Sequence, residues 1–164
     1  MFRALKTSVL FPVWPCEPFN PWWSHLQKGL WAERVVARRL WQDGHRIIAH
    51  RHAGPERTDI DLIAANRERL IFAEVKYRTA VGEDPWAATA DPERIRRLLN
   101  AISDYLRATR QLAVAISVNG YLVSAPDGAA NPKIICWKGY VNASQVPGWR
   151  GLEEEWSHPG PAPL

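Results

Sequence analysis

The chain reads as an α/β protein, a mixed central sheet flanked by helices in the order α-β-β-β-α-β-β. Three observations predict it. Ala32, Val36 and Leu40 recur every four residues, the period of an amphipathic helix. Asp59 to Ala65 and Leu70 to Tyr77 form two apolar-rich arms around the turn residues Asn66-Arg67-Glu68. Asp91-Pro92-Glu93 then opens a second helix before more strand-forming sequence. A length of 164 residues fits one domain. We place that domain at residues 24–146. A Pro/Trp-rich extension (1–23) precedes it, and a flexible Pro/Gly/acidic tail (147–164) follows.

The first helix spans Ser24 to Asp43, which lacks proline and ends at Asp43-Gly44, a C-cap signal. His45 to Arg51, around Ile47-Ile48, reads as a short strand, and the two hairpin arms follow. Ala80 to Ala90, with Gly82 and Pro85, reads as a loop. In the second helix Asp91 is the N-cap and Pro92 takes the first helical position. Ile95, Leu98, Leu99, Ile102 and Leu106 form its buried face. Leu112 to Val118 is expected to be a strand. Asn119-Gly120 is the signal of a type I′ turn leading into Tyr121-Leu122-Val123. Lys133 to Trp137 is the last short strand.

Composition narrows the class. With 46% hydrophobic and 23% charged residues the chain is not a disordered one. The longest apolar run, Leu112 to Val118, is too short to span a bilayer, so no membrane partner is expected. The amino terminus does not read as a clean targeting segment, because Pro12 and Pro15 interrupt its apolar run. Cys16 and Cys136 are too few for a metal knuckle or a disulfide scaffold, and a reducing, cytoplasmic setting is expected. The net charge of +4 is modest, but arginines cluster at 34, 38 and 39, at 94, 96 and 97, and at 107 and 110. Such clusters suit a polyanion or, equally, a solvated helix face. The nine tryptophans are assigned to core and surface packing.

The chemistry lies in the hairpin. Asp59 and Asp61 are two apart in a strand and share a face, with Ile60 and Leu62 on the other. Glu74 and Lys76 share a face in the next strand, opposite Ile71, Ala73 and Val75. Paired in the obvious register, three carboxylates and one lysine converge, and Glu33 stands upstream on the first helix. Hard oxygen ligands of this kind suit Mg²⁺ or Mn²⁺. The competing reading is a solvated strand face with an ordinary Glu74–Lys76 pair. Beside these acids, Lys76 is expected to hold its proton more tightly than an ordinary lysine when no metal is bound.

Asp61, then twelve residues, then Glu74-Val75-Lys76 resembles the (P)D…(D/E)xK pattern of restriction-endonuclease-like nucleases. More closely, the chain resembles the YraN-like family of small bacterial proteins, similar in core to Holliday-junction resolvases. Gly29, Glu33, Ala37 and Leu40 stand at the spacings of that family's first helix. Thr58-Asp59-Ile60-Asp61-Leu62-Ile63-Ala64 and Phe72-Ala73-Glu74-Val75-Lys76-Tyr77-Arg78 match its two strand motifs. The likeness runs roughly from Lys28 to Leu106. Asp59 replaces a usual glutamate, Arg94 a common lysine, and Leu112–Val118 lacks the family's Arg-Phe-Asp.

The resemblance implies a restriction-endonuclease-like core and a metal-dependent endonuclease. Its substrates would be phosphodiester bonds in DNA rather than RNA, in branched or repair and recombination intermediates. It implies Glu33, Asp61, Glu74 and Lys76 as catalytic residues. Asp61, Glu74, Glu33 and Asp59 would face Mg²⁺ or Mn²⁺, and Arg78, Arg94 and Arg97 would grip phosphates. Related nucleases often act as dimers, so a homodimer is expected. The alternative is a non-catalytic nucleic-acid-binding or adaptor module on a degenerate nuclease fold. A hydrolase built on His45, His50 and His52 is a poorer reading, since no cysteine or suitably spaced acid accompanies them. These histidines are expected in core or solvated roles.

Overall fold

The structure, a computed structural model, describes residues 17–55, 58–79, 91–111, 114–125, 132–150 and 162–163. Helix α1 (His25–Gln42) starts at a capping box. The Ser24 hydroxyl accepts from Gln27 N–H, and the Gln27 side chain accepts from Ser24 N–H. It ends at Asp43, with Gly44 in the left-handed region at φ 84°. Three strands follow: β1 (Arg46–Ala53), β2 (Asp59–Ala65) and β3 (Leu70–Tyr77). The turn between β2 and β3 is closed by Asn66, whose Oδ1 accepts from the N–H groups of Glu68 and Arg69. Helix α2 (Pro92–Ala108), capped by Asp91, carries the chain over to β4 (Ile116–Ser124). β5 (Lys133–Val141), a 3₁₀ turn (Ala143–Gln145) and the two-residue β6 (Ala162–Pro163) complete the described elements. The expected loop at 80–90 lies outside the described residues.

The sheet order is β1-β2-β3-β4-β5-β6. All neighbours are antiparallel except β3 and β4, which run parallel over Leu70↔Ile116 to Tyr77↔Val123. A parallel pair needs a long crossover, and α2 provides it. Each face has its own core. α1 packs Trp31, Val36 and Leu40 against Leu62, Ile71, Tyr121 and Val123. α2 packs Leu98, Ile102 and Leu106 against Ile60, Phe72, Ile116 and Val118. The approach of α2 is close. A Cβ on Gly54, in the β1–β2 connection, would meet Ala101 Cβ at 2.6 Å and Thr58 O at 2.7 Å.

Two sequence expectations are corrected. Asn119-Gly120 is no turn but the middle of β4, which runs unbroken and buried throughout from Ile116 to Ser124. Asn119 Oδ1 accepts from Ser117 Oγ at 2.6 Å and from Gly139 N–H at 3.2 Å, beside the register shift between β4 and β5. The amide thus ties down an irregularity in the neighbouring strand. Strict alternation in β2 also fails: Ile60 joins the core under α2, whereas Leu62 joins the core under α1. The pairing of β2 with β3 begins only at Leu62↔Ala73, which leaves Asp59 to Asp61 outside that ladder.

At the carboxyl end, the chain from Pro147 stays against the domain before leaving the described residues. Ser103 Oγ donates to the Pro147 carbonyl at 2.6 Å, and Trp149 Nε1 donates to Val114 O at 2.9 Å. At the other end Phe19 stacks on Tyr77 with ring centroids 5.5 Å apart, and Trp31 Nε1 donates to Glu17 O. No helix among the described residues is long and apolar enough to cross a membrane.

Candidate functional site

Where β2 and β3 splay, Asp61 takes the place of a strand partner. Its Oδ2 accepts from Val75 N–H at 2.7 Å, beyond the end of the β2–β3 ladder. One carboxylate thereby caps a backbone donor that the ladder would otherwise leave open. The hydrogen bond also fixes Asp61 beside Glu74, the neighbour of Val75.

Glu74 is 2% exposed, and Asp61 and Glu33 are also buried. Charged carboxylates reach such burial only when paired. Burial, then the charge of Glu74, holds the Asp61 carboxyl well above the usual carboxylate range. The charge of Glu33 adds to this, while the Val75 N–H and Arg94 pull the other way. Glu33 of α1 and Glu74 of β3 therefore both act on Asp61 of β2.

Each outer acid has a basic partner. Arg94, from the first turn of α2, sets Nε at 2.6 Å and Nη2 at 2.5 Å from Glu74 Oε1. Lys76 Nζ lies 4.0 Å from the same oxygen. On the far side His50 Nε2 donates to Glu33 Oε2 at 2.5 Å, and Arg51 Nε is 3.8 Å from that oxygen. Successive strand residues ordinarily face opposite ways. Both reach Glu33 here because Arg51 takes φ 52°, a left-handed conformation uncommon for a non-glycine residue.

The expected rise of the Lys76 pKa is not found. Burial lowers it, and Arg94 and Arg78 lower it further, outweighing Glu74 and Asp61. Strand spacing shows the acids but neither the loss of water nor the two nearby guanidiniums.

The structure thus brings together Glu33, Asp61, Glu74, Lys76 and Arg94. Arg78 sits at the edge, where its charge reaches Lys76 and its Nη1 donates to the Tyr77 carbonyl. Asp59 is exposed at the start of β2, opposite Ala53, and takes no part in the contacts around Asp61. Arg97 lies three residues along α2 from Arg94. Its Nε is buried with no hydrogen-bond partner among the described residues. The three histidines are separated. His45 Nδ1 meets the Leu40 carbonyl at 3.1 Å, His50 meets Glu33, and the His52 ring stands edge-on to Tyr105.

Two residues enter the site that sequence reasoning did not place there. His50 holds Glu33. Tyr140, from β5, has its phenol pKa raised by burial and then by the charge of Glu74. The one signal for His50 is its position at the edge of the strand preceding the acid hairpin. Tyr140 gives none, because its placement depends on β5 pairing with β4.

The donor chemistry fits a hard divalent cation: buried carboxylates come from three elements, Glu74 and Glu33 raise the cost of ionising Asp61, and a cation relieves it. The resting distances do not converge on an ion. Among the described residues no group of three His, Cys, Asp or Glu side chains is arranged to hold a metal. Arg94 takes up the nearest Glu74 oxygen instead.

Comparison with known proteins agrees with the motifs. The profile of the family described as "Uncharacterised protein family UPF0102" matches residues 32–119, a span that contains α1 from Ala32 and all four acids. A UPF0102 protein of Bradyrhizobium sp. strain BTAi1 is 33% identical over 106 residues, covering 65% of this chain and 74% of the relative. One from Syntrophomonas wolfei is 30% identical over 102 residues, covering 61% and 86%. One from Nitrobacter winogradskyi is 38% identical over 80 residues, covering 49% of this chain and 65% of the relative, just under two thirds of its length. On the profile match and these relatives, the chain belongs to the uncharacterised protein family UPF0102, the YraN family.

Proposed function

We propose that this protein is a metal-dependent nuclease that hydrolyses phosphodiester bonds in DNA, with branched or repair and recombination intermediates as its substrates. The observation that carries the reading is the placement of Asp61 and Glu74. Asp61 caps Val75 N–H, Glu74 is buried beside it, and Lys76 lies 4.0 Å from Glu74. Burying Asp61 beside Glu74 and Glu33 is costly, and such perturbed acids cluster at functional sites.

Asp61 and Glu74 would hold Mg²⁺ or Mn²⁺, with Glu33 approaching from α1. When bound, such an ion supplies charge stabilisation at the scissile phosphate. Lys76, with its pKa lowered by burial, holds or passes a proton at Nζ and orients the attacking water. His50 fixes the carboxylate of Glu33. Arg78 and Arg94, at the rim, meet the phosphate backbone, which positions a strand without reading its sequence. Two sites in a homodimer would address two strands.

One observation favours a second reading, a nucleic-acid-binding module without catalysis: Arg94 already neutralises Glu74 through one of its two carboxylate oxygens. A Mn²⁺-dependent cleavage screen over branched, duplex and single-stranded DNA and RNA separates the two. The nuclease reading predicts cleavage that Asp61→Asn abolishes. Binding without cleavage on every substrate would favour the module.

A further inference from the structure

Glu74 Oε1 accepts from Arg94 Nε at 2.6 Å, lies 2.5 Å from Arg94 Nη2 and is 4.0 Å from Lys76 Nζ. The two ends of the Arg94–Glu74 pair differ. The Glu74 side chain is 2% exposed, whereas that of Arg94 is 45% exposed. A strand of nucleic acid can therefore reach the guanidinium without first reaching the carboxylate. A divalent ion and the guanidinium compete for Oε1, two positive charges against one oxygen.

We propose that Arg94 is a gate that couples metal loading to substrate binding, an inference that rests on the metal seat read above. At rest Arg94 is the counter-cation of Glu74 and keeps an ion out. A phosphodiester group of an incoming strand draws the guanidinium outward, because its planar fork matches phosphate oxygens as well as it matches a carboxylate. Glu74 then exchanges one cation for another, and Arg94 exchanges one anion for another. Neither group is left buried and unpaired, so the exchange avoids the cost that either departure alone would carry. By linkage, metal must tighten nucleic-acid binding by the same factor as nucleic acid tightens metal binding.

The test is a Mn²⁺ titration of the full chain by electron paramagnetic resonance, with and without a DNA duplex. Glu74→Gln in the same mixtures gives the background of DNA-bound ion. Arg94→Ala should bind Mn²⁺ more tightly than the native chain by roughly 5- to 150-fold, the usual span of coupled sites. The duplex should tighten the native chain by a similar factor and add little to Arg94→Ala. Arg94→Gln, which keeps a donor toward Glu74 without the charge, should behave alike and covers the case in which Arg94→Ala does not fold. Equal Mn²⁺ affinity in the native chain and both variants overturns the gate but leaves the metal seat standing. No Glu74-dependent Mn²⁺ binding in any of them removes the seat and the gate together. Tighter variants with a native chain indifferent to the duplex overturn the phosphate trigger.

Discussion

Asp61 is the residue on which the site turns, and its environment sets a test of stability. A carboxylate whose native pKa lies above its unfolded value of about 3.8 binds its proton more tightly in the folded chain. Stability therefore falls as pH rises from there through the native pKa, and the whole cost is carried above it. Asp61→Asn removes that cost and can keep the bond from Val75 N–H. Without metal it should melt higher than the native chain at neutral pH, with the gap closing toward pH 4. A lower melting temperature at neutral pH would mean that the acid supports the fold. Lys76 offers a second test. If its proton is used, Lys76→Arg should lose nearly all cleavage at saturating Mn²⁺ in single-turnover assays, since a guanidinium does not deprotonate. A native rate would reduce Lys76 to a partner of Glu74. Asp61, Glu74, Lys76 and Glu33 were legible in the sequence because strand spacing and motif order fix them. The hold of Arg94 on Glu74 and of His50 on Glu33 was not, because the partners stand 20 and 17 residues apart and meet only through packing.

The helices and the hairpin were legible element by element. Ser24, Asp43-Gly44 and Asp91-Pro92 mark their own caps, and the β2–β3 arms differ in composition from their turn. β4 was misread for a physical reason. Asn-Gly favours a tight turn when the chain is free to choose. Here parallel pairing with β3 on one side and β5 on the other holds the dipeptide extended. The Asn119 side chain then serves Ser117 Oγ and Gly139 N–H. Asn119→Ala strips an acceptor from two donors in a buried setting and should cost about 1–3 kcal/mol per unmet group, measured by urea denaturation. An unchanged midpoint would show that β4 keeps its course without the amide.

At the scale of the molecule, one sheet with a core on each face delivers acids from α1, β2 and β3 to one patch and sets the start of α2 against it. The hairpin part of that convergence follows from strand spacing, whereas the place of Arg94 depends on the parallel β3–β4 pairing and on the α2 crossover. The same geometry puts Arg78 and Arg94 on the rim, where on the proposed function they would meet a polyanion. DNA affinity should fall with salt at a slope near −0.9 per phosphate neutralised. Replacing Arg94 and Arg97 together should flatten that slope and leave sequence preference unchanged, as fluorescence anisotropy over a salt series would show; an unaltered slope would remove both from the phosphate contacts. The central claim is that Asp61 and Glu74 form a metal seat for phosphodiester hydrolysis. Single-turnover cleavage of a labelled branched DNA at saturating Mn²⁺, by the native chain and by Glu74→Gln, tests it most directly. Metal-dependent cleavage by the native chain and none by the folded variant is expected, and equal rates from the two would contradict a metal seat at Glu74.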